Sequence, residues 1–302
     1  MELKEIIQKR IDRLESVPDA YLSVIDKENE RLFKEILSDL NALEIKDGKI
    51  IASKNNLAKV NLILEKLKIS LFNGEYLDAV KKFAGEIQTQ ATLNNSILKM
   101  VVGSFTDNEL YKSVVLNAQH NALLLMDENA IAHNVMQPLS EILSNSIINA
   151  VSYNDAVDVL KLNMVGDDAV LGKYAKTIVV DTFSVADRQY VQLTAKQHSI
   201  EFWKYDGGKV RDTRYFCCVR SNKIFHTKEV EEWGNHPSLW TNPHNGECEK
   251  AHGGGMNADT NSATIFSYLG GYNCRHVLIP KATEYVPADV IARAKEKGYL
   301  SS

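Results

Sequence analysis

The first two-thirds of this 302-residue chain repeats apolar residues at helical spacing, and the repeat stops near Ser199. The spacing is three, four or seven residues, as in the stripe formed by Leu32, Ile36 and Leu40. Apolar residues at that spacing line one face of a helix, and such faces usually pack into a core. We therefore predict helices up to about residue 198.

Local signals predict where several of these helices begin and end. Pro18 has no backbone N–H and is predicted to separate the first helix from its neighbour. The pair Asp47-Gly48 predicts a turn. Ser152, with Asp155 three residues later, matches a helix-capping pattern in which the shorter acid replaces glutamate. A long helix is predicted from about residue 168 to residue 196.

After Ser199, β-forming residues such as Phe202, Trp203 and Tyr205 replace the helical pattern. A second strand is predicted at residues 277–280, and the residues between are predicted to form a long connection with little regular structure. The predicted fold class is α+β. A largely helical N-terminal two-thirds is followed by a small mixed, loop-rich C-terminal domain.

The change of pattern also suggests a division of the chain. Residues 1–130 are interpreted as a helical docking region and residues 131–198 as a helical linker and spine. Residues 199–302 are interpreted as a small α+β domain that carries the cysteines. We also expect a fragment without residues 1–130 to keep its fold.

Composition is that of an ordinary globular protein, with 44% hydrophobic and 25% charged residues and a formal net charge of −4. Proteins that grip many nucleic-acid phosphates normally carry a cationic face, so charge does not indicate a nucleic-acid binder, although local contact stays open. No apolar leader precedes the first helix, and no stretch approaches the roughly 18 apolar residues of a membrane span. We expect no membrane partner, and we expect the four cysteines to be cytoplasmic thiols.

Two cysteine-bearing segments enclose the long connection, at residues 212–217 and 270–276. On a strand, Asp212, Arg214 and Phe216 would share one side and Cys217 would point to the other. Asp212 and Arg214 would then clasp a turn through a charge-assisted hydrogen bond. Because both segments anchor the same connection, Cys217 and Cys274 are predicted to lie close together. In the second segment, Arg275 is predicted to donate to loop carbonyls that lack strand partners.

A structural zinc site is the alternative for the same residues. Thiolates and imidazoles are the usual zinc ligands, and four of them complete a tetrahedral site. The candidates are Cys217, Cys248, His252, Cys274 and His276. No C-x2-C pair is present, and the adjacent Cys217 and Cys218 are unlikely to ligate together, so proximity without metal and unrelated buried thiols also stay open.

Catalysis was weighed on the same side chains. Cys217 could pair with His226, His252 or His276, and Asp212 or Glu229 could orient the imidazole. Isolated cysteines and histidines meet that description in many proteins of this size. The chain lacks a nucleophile elbow, a Walker loop, a dinucleotide fingerprint and a metalloprotease helix motif. We therefore do not expect an enzyme, and a cysteine- or metal-dependent hydrolase acting on a phage or host polymer is the alternative.

The order of elements from residue 138 to residue 285 resembles the phage Mu F-like minor head proteins, the head morphogenesis family of tailed phages. The resemblance is carried by a short helix, a Ser-initiated helix and a long helix, followed by an ordered series of motifs. Those motifs are residues 202–208, 212–217, 223–225, 229–233 and 271–276. The last reads Gly-Tyr-Asn-Cys-Arg-His, which includes Asn273 and follows the Cys-Arg-His form of the family motif.

This resemblance implies a virion protein present in few copies and assembled in the host cytoplasm. It implies association with the portal or the inner head wall, and a role in head assembly or genome delivery. The expected partners are portal protein, major capsid protein or both, bound through the helical half. Residues 1–130 lie outside the resemblance.

Overall fold

A computed structural model describes residues 2–103, 109–208, 213–236, 241–242, 248–249, 251–272 and 274–300. The α-helices are α1 (Leu3–Leu40), α2 (Lys54–Asn73), α3 (Tyr76–Val102), α4 (Glu109–Leu125), α5 (Glu128–Ile131), α6 (Gln137–Ile148), α7 (Tyr153–Met164), α8 (Val170–Gln197), α9 (Tyr215–Cys218), α10 (Thr227–Trp233), α11 (Ile265–Tyr268) and α12 (Ala288–Glu296). A π-helical turn, Ala132–Met136, joins α5 to α6, and a 3-10 turn, Thr283–Tyr285, precedes α12. The strands are β1 (Ile45–Lys46), β2 (Lys49–Ile50), β3 (Phe202–Asp206), β4 (Ile224–His226) and β5 (Val277–Lys281). The predicted α+β class is confirmed.

Helix α1 does not end at Pro18, so that predicted boundary is wrong. Leu14, Pro18, Tyr21 and Ile25 are all buried and are spaced four, three and four residues apart on one face. Burial of this continuous stripe offsets the hydrogen bond that the proline removes from the helix interior.

Other boundary predictions are confirmed. Asp47 and Gly48 have φ values of 50° and 75° and form the turn of the β1–β2 hairpin. The Ser152 side chain accepts a hydrogen bond from the Asp155 backbone N–H at 3.0 Å and caps α7. The predicted long helix is α8. Within the described residues, no helix is both long and apolar enough to cross a membrane.

Strands β4, β3 and β5 form an antiparallel sheet in that order, with Trp203 opposite Phe225 on one side and Pro280 on the other. Pro280 is tolerated because β5 lies at the edge of the sheet. Side chains alternate between the faces of β3. Trp203 and Tyr205 join a core with helix residues on one face, and Phe202 packs with the α12 residue Val290 on the other.

The chain divides into two compact units. The sheet unit consists of Met1–Ser16, Glu86–Ala118 and Val180–Ser302, and the helical unit consists of Val17–Gly85 and Gln119–Val179. This division describes packing. The functional division at residues 130 and 198 stays a prediction.

A buried ion pair joins the three segments of the sheet unit. Asp187 on α8 accepts hydrogen bonds from Arg10 Nη2 at 2.7 Å and Nε at 3.1 Å. The side-chain amides of Gln90 and Asn94 on α3 each donate to the same carboxylate at 2.9 Å. All four residues are buried, so the first helix and α3 supply the partners of a charge on α8.

Candidate functional site

Three potential ligands meet behind the sheet of the sheet unit. Cys217 lies on α9, and Cys274 and His276 lie in the segment that leads into β5. Among the described residues, these three alone form a group of histidine, cysteine or carboxylate ligand atoms within 4.8 Å of one another. The predicted proximity of Cys217 and Cys274 is confirmed, because their Sγ atoms are 3.8 Å apart.

The local fold differs from the predicted strand at Cys217. Tyr215–Cys218 is one helical turn, so the predicted alternation of Phe216 and Cys217 across a strand is wrong. The Tyr215 N–H donates to the carbonyl of His252 at 2.7 Å, and the Cys218 N–H donates to the carbonyl of Arg214 at 2.9 Å. Because these amides are used in a cap and a helical bond, they are not available for a sheet ladder.

The three side chains are buried, with exposed fractions of 2% for Cys217, 4% for Cys274 and 6% for His276. The Tyr205 hydroxyl donates to Cys217 Sγ at 3.2 Å. Its ring stacks on His276 with 5.2 Å between the centroids and 25° between the planes. The central strand β3 therefore fixes both a sulfur and the imidazole.

Ser221 fixes the proton position on His276. The Ser221 hydroxyl donates to the Cys217 carbonyl at 2.9 Å, so its remaining capacity is that of an acceptor. His276 Nε2 is 3.5 Å from this oxygen and carries the proton that the oxygen can accept. Nδ1 is then the nitrogen with the lone pair, and it lies 3.9 Å from Cys274 Sγ.

Gly270 provides the space that the two sulfur atoms occupy. A Cβ at this position would be 2.3 Å from Cys217 Sγ and 3.0 Å from Cys274 Sγ. Such a short approach is not accommodated without displacement of a sulfur. Glycine is therefore required here by packing rather than by backbone conformation.

Two arginines hold the backbone around the cluster. Arg188 on α8 donates to the carbonyls of Cys274, His276 and Ser267, with 3.0 Å to His276 and 2.9 Å to Ser267. Arg214 donates to the carbonyl of Gly270 at 2.9 Å. These guanidinium groups satisfy carbonyls that a segment without strand partners would otherwise leave unpaired.

Arg275 does not have the predicted role. Its side chain is 44% exposed and pairs with Glu15 at 3.2 Å. The loop carbonyls are held by Arg188 and Arg214 instead. The predicted partner of Arg214, Asp212, and the motif residue Asn273 both lie outside the described residues.

The two buried thiols have opposite acidities. The hydrogen bond with Cys274, together with burial, raises the pKa of Cys217 well above its ordinary value. The same hydrogen bond lowers the pKa of Cys274 well below its ordinary value. Burial opposes that lowering of the Cys274 pKa, and the charge of Arg188 adds to it. The negative charge of the pair therefore resides on Cys274.

Two of the five zinc candidates lie outside the group. Cys248 forms a disulfide with Cys218, with 6.1 Å between the Cα atoms. The expectation that all four cysteines are thiols is therefore wrong for this pair. His252 is exposed and is not part of the group that its neighbours form. Cys217, Cys274 and His276 are the candidates that the fold brings together.

The other catalytic candidates are engaged elsewhere. His226 Nδ1 accepts from the Lys228 N–H at 3.2 Å and caps α10. Burial lowers the pKa of His226. Glu229 accepts from the His226 backbone N–H at 2.9 Å and from Arg293 Nε at 3.0 Å, so it does not orient the imidazole. These contacts close the end of α10.

Sequence reasoning missed Tyr205, Ser221, Arg188 and Gly270 as parts of the cluster. Tyr205 was recognised only as a β-former and Gly270 only as a turn residue. Arg188 lies on a polar position of α8 and contacts carbonyls almost ninety residues later in the chain, at His276. The Cys-Arg-Tyr-type periodicity of a strand or helix carries no signal for such long-range contacts.

No family model, no curated protein and no solved structure matches this chain.

Proposed function

We propose that this chain is a minor structural protein of a tailed-phage particle, without catalytic activity, that binds portal or major capsid protein through its helical unit. The phage context rests on the ordered series of motifs between residues 138 and 285. The binding role rests on exposed apolar side chains. The protein would be assembled in the host cytoplasm, reside in the virion and act in head assembly or genome delivery.

Exposed apolar residues on α2 are the observation that supports protein binding. Leu62 and Ile69 are 65% and 57% exposed, and their seven-residue separation places them on one face of the helix. In the same unit, Ile148 at the end of α6 and Leu162 on α7 are 61% and 68% exposed. Single exposed apolar residues are common, whereas apolar residues grouped on one face mark surfaces that bind partners.

The test replaces the two α2 residues by charged ones. The double variant Leu62→Glu, Ile69→Glu should fold normally, because both positions are exposed. Its incorporation into particles should fall about tenfold or more, since a loss of about 1.4 kcal/mol in binding is tenfold in affinity. The measurement is the copy number per particle by quantitative mass spectrometry.

The control adds the same charge elsewhere in the helical unit. Ser23→Glu, Ser38→Glu changes two exposed residues of α1 and should leave incorporation unchanged. Normal incorporation of the Leu62, Ile69 variant would contradict the assignment of this face as the binding surface.

The hydrolase alternative is less well supported by the geometry. A cysteine nucleophile needs a path for its substrate, and both Cys217 and Cys274 are at least 96% buried. Hydrolysis of a phage or host polymer by the purified chain, lost in Cys217→Ser or Cys274→Ser, would favour the alternative.

A further inference from the structure

We propose that Cys217, Cys274 and His276 form a zinc-binding site in the sheet unit, with the two Sγ atoms and His276 Nδ1 as ligands. The proposal does not depend on the phage role. It selects three of the five residues that the sequence offered, and it excludes Cys248 and His252.

The spacing of the donor atoms fits zinc. Two sulfur ligands at about 2.3 Å from Zn²⁺ and at the tetrahedral angle lie about 3.8 Å apart. Cys217 Sγ and Cys274 Sγ are 3.8 Å apart, and Cys274 Sγ is 3.9 Å from His276 Nδ1. These distances correspond to edges of a ligand polyhedron around one ion.

The proton position on His276 also fits. Ser221 requires the proton on Nε2, which leaves the lone pair of Nδ1 directed toward the sulfur atoms. Metal-binding histidines characteristically donate their second ring N–H to an oxygen acceptor, which fixes the tautomer and the ring orientation. Ser221 supplies that acceptor.

Further contacts prepare the two sulfurs for a cation. The Tyr205 hydroxyl donates to Cys217 Sγ, the type of hydrogen bond that stabilises a thiolate ligand. Arg188 holds the carbonyls on either side of Arg275, so Cys274 and His276 are presented together. Two thiolates and one imidazole are a donor set that favours thiophilic ions such as Zn²⁺.

Three protein ligands leave one of the four usual positions of Zn²⁺ for a small non-protein ligand. The charge of the ion would balance the two thiolates, which removes the cost of burying an unpaired negative charge. Zinc would thereby link α9 to the segment before β5.

The experiment measures zinc in the full-length protein purified under reducing conditions. About one zinc per chain is expected. Cys217→Ser, Cys274→Ser and His276→Gln should each lose the zinc. Cys248→Ser and His252→Gln are the matched controls and should retain it, because the structure places neither residue in the group. Loss of zinc in both controls as well would contradict the assignment.

A second measurement on the wild-type chain avoids dependence on variants that fail to fold. Apo protein loaded with Co²⁺ should show thiolate-to-cobalt charge-transfer bands and the visible absorption of a tetrahedral site. Ser221→Ala should keep the fold and weaken metal affinity by about 10- to 100-fold. Absence of zinc from the purified protein together with no cobalt spectrum, or copper(I) uptake in place of zinc, would overturn the proposal. Either result would leave the particle measurements unaffected.

Discussion

Asp187 is the residue whose surroundings most clearly constrain stability. It is a buried carboxylate with four donated hydrogen bonds, two of them from Arg10. A buried ion pair contributes little compared with an apolar replacement of both partners, but the loss of one partner leaves an unpaired buried charge. The position is therefore sensitive to single substitutions.

We predict that Arg10→Met destabilises the protein by about 3 to 5 kcal/mol, because Asp187 would keep its charge without its main partner. The measurement is the free energy of unfolding by denaturant titration. Arg275→Met removes the exposed ion pair with Glu15 and should cost no more than about 1 kcal/mol. Equal costs for the two variants would show that the buried pair is not special.

Asp187 should also contribute to the acid sensitivity of the fold. Burial raises the pKa of this carboxyl, but the charge of Arg10 and the hydrogen bonds from Arg10, Asn94 and Gln90 outweigh it and lower the pKa below its ordinary value. A group whose pKa is lower in the folded state stabilises the fold above its unfolded pKa, about 3.9 for aspartate. That contribution is lost as the pH falls through the folded-state pKa.

The measurement is the free energy of unfolding of wild-type protein and Asp187→Asn between neutral pH and acid pH. The wild type should be the more stable near pH 7, and the difference should shrink as the pH falls below about 4. A difference that stays constant over that range would show that Asp187 does not titrate with unfolding.

At the scale of single elements, local signals predicted what local interactions determine. The Ser152 cap, the Asp47-Gly48 turn and the long helix α8 all depend on neighbours within a few residues. Pro18 misled because a buried stripe on both sides of it outweighs one lost hydrogen bond. The α9 turn was mistaken for a strand because its Tyr215 amide is held by His252, far along the chain.

The disulfide between Cys218 and Cys248 ties the end of α9 to the connection that follows α10. We predict that Cys248→Ser lowers the free energy of unfolding under oxidising conditions by about 2 to 4 kcal/mol, because the disulfide closes a loop of 30 residues in the unfolded chain. Under reducing conditions, the wild type and the variant should be nearly equal.

Mapping of disulfide-linked peptides tests the pairing itself. In a Cys217→Ser chain, which removes the adjacent cysteine, the Cys218 peptide should still be linked to the Cys248 peptide. A link from Cys218 to Cys274 would contradict the structure.

At the scale of the whole molecule, the sheet unit is built from three separate segments of the chain. Sequence periodicity predicted helices in residues 1–130, but it could not show that some of them share a core with β3 and β5. The partners of Asp187 are 93 to 177 residues away from it, and neither charge pattern nor spacing indicates such pairs. The candidate site has the same origin, because Arg188 and Gly270 act through distant contacts.

This interleaving argues against the expectation that a chain without residues 1–130 keeps its fold. The fragment 131–302 would lack Arg10, Gln90 and Asn94, and so every hydrogen-bond donor that the structure gives to the Asp187 carboxylate. We predict that it shows no cooperative thermal transition, whereas the full chain does. A sharp transition in the fragment, with the aromatic circular dichroism of the full chain, would contradict this account.

The central claim is that the protein is a structural component of a phage particle, and the composition of purified particles tests it most directly. Quantitative mass spectrometry should find the chain at a fixed, low copy number relative to portal and major capsid protein. Its absence from purified particles, combined with measurable hydrolysis of a phage or host polymer by the isolated protein, would contradict the claim.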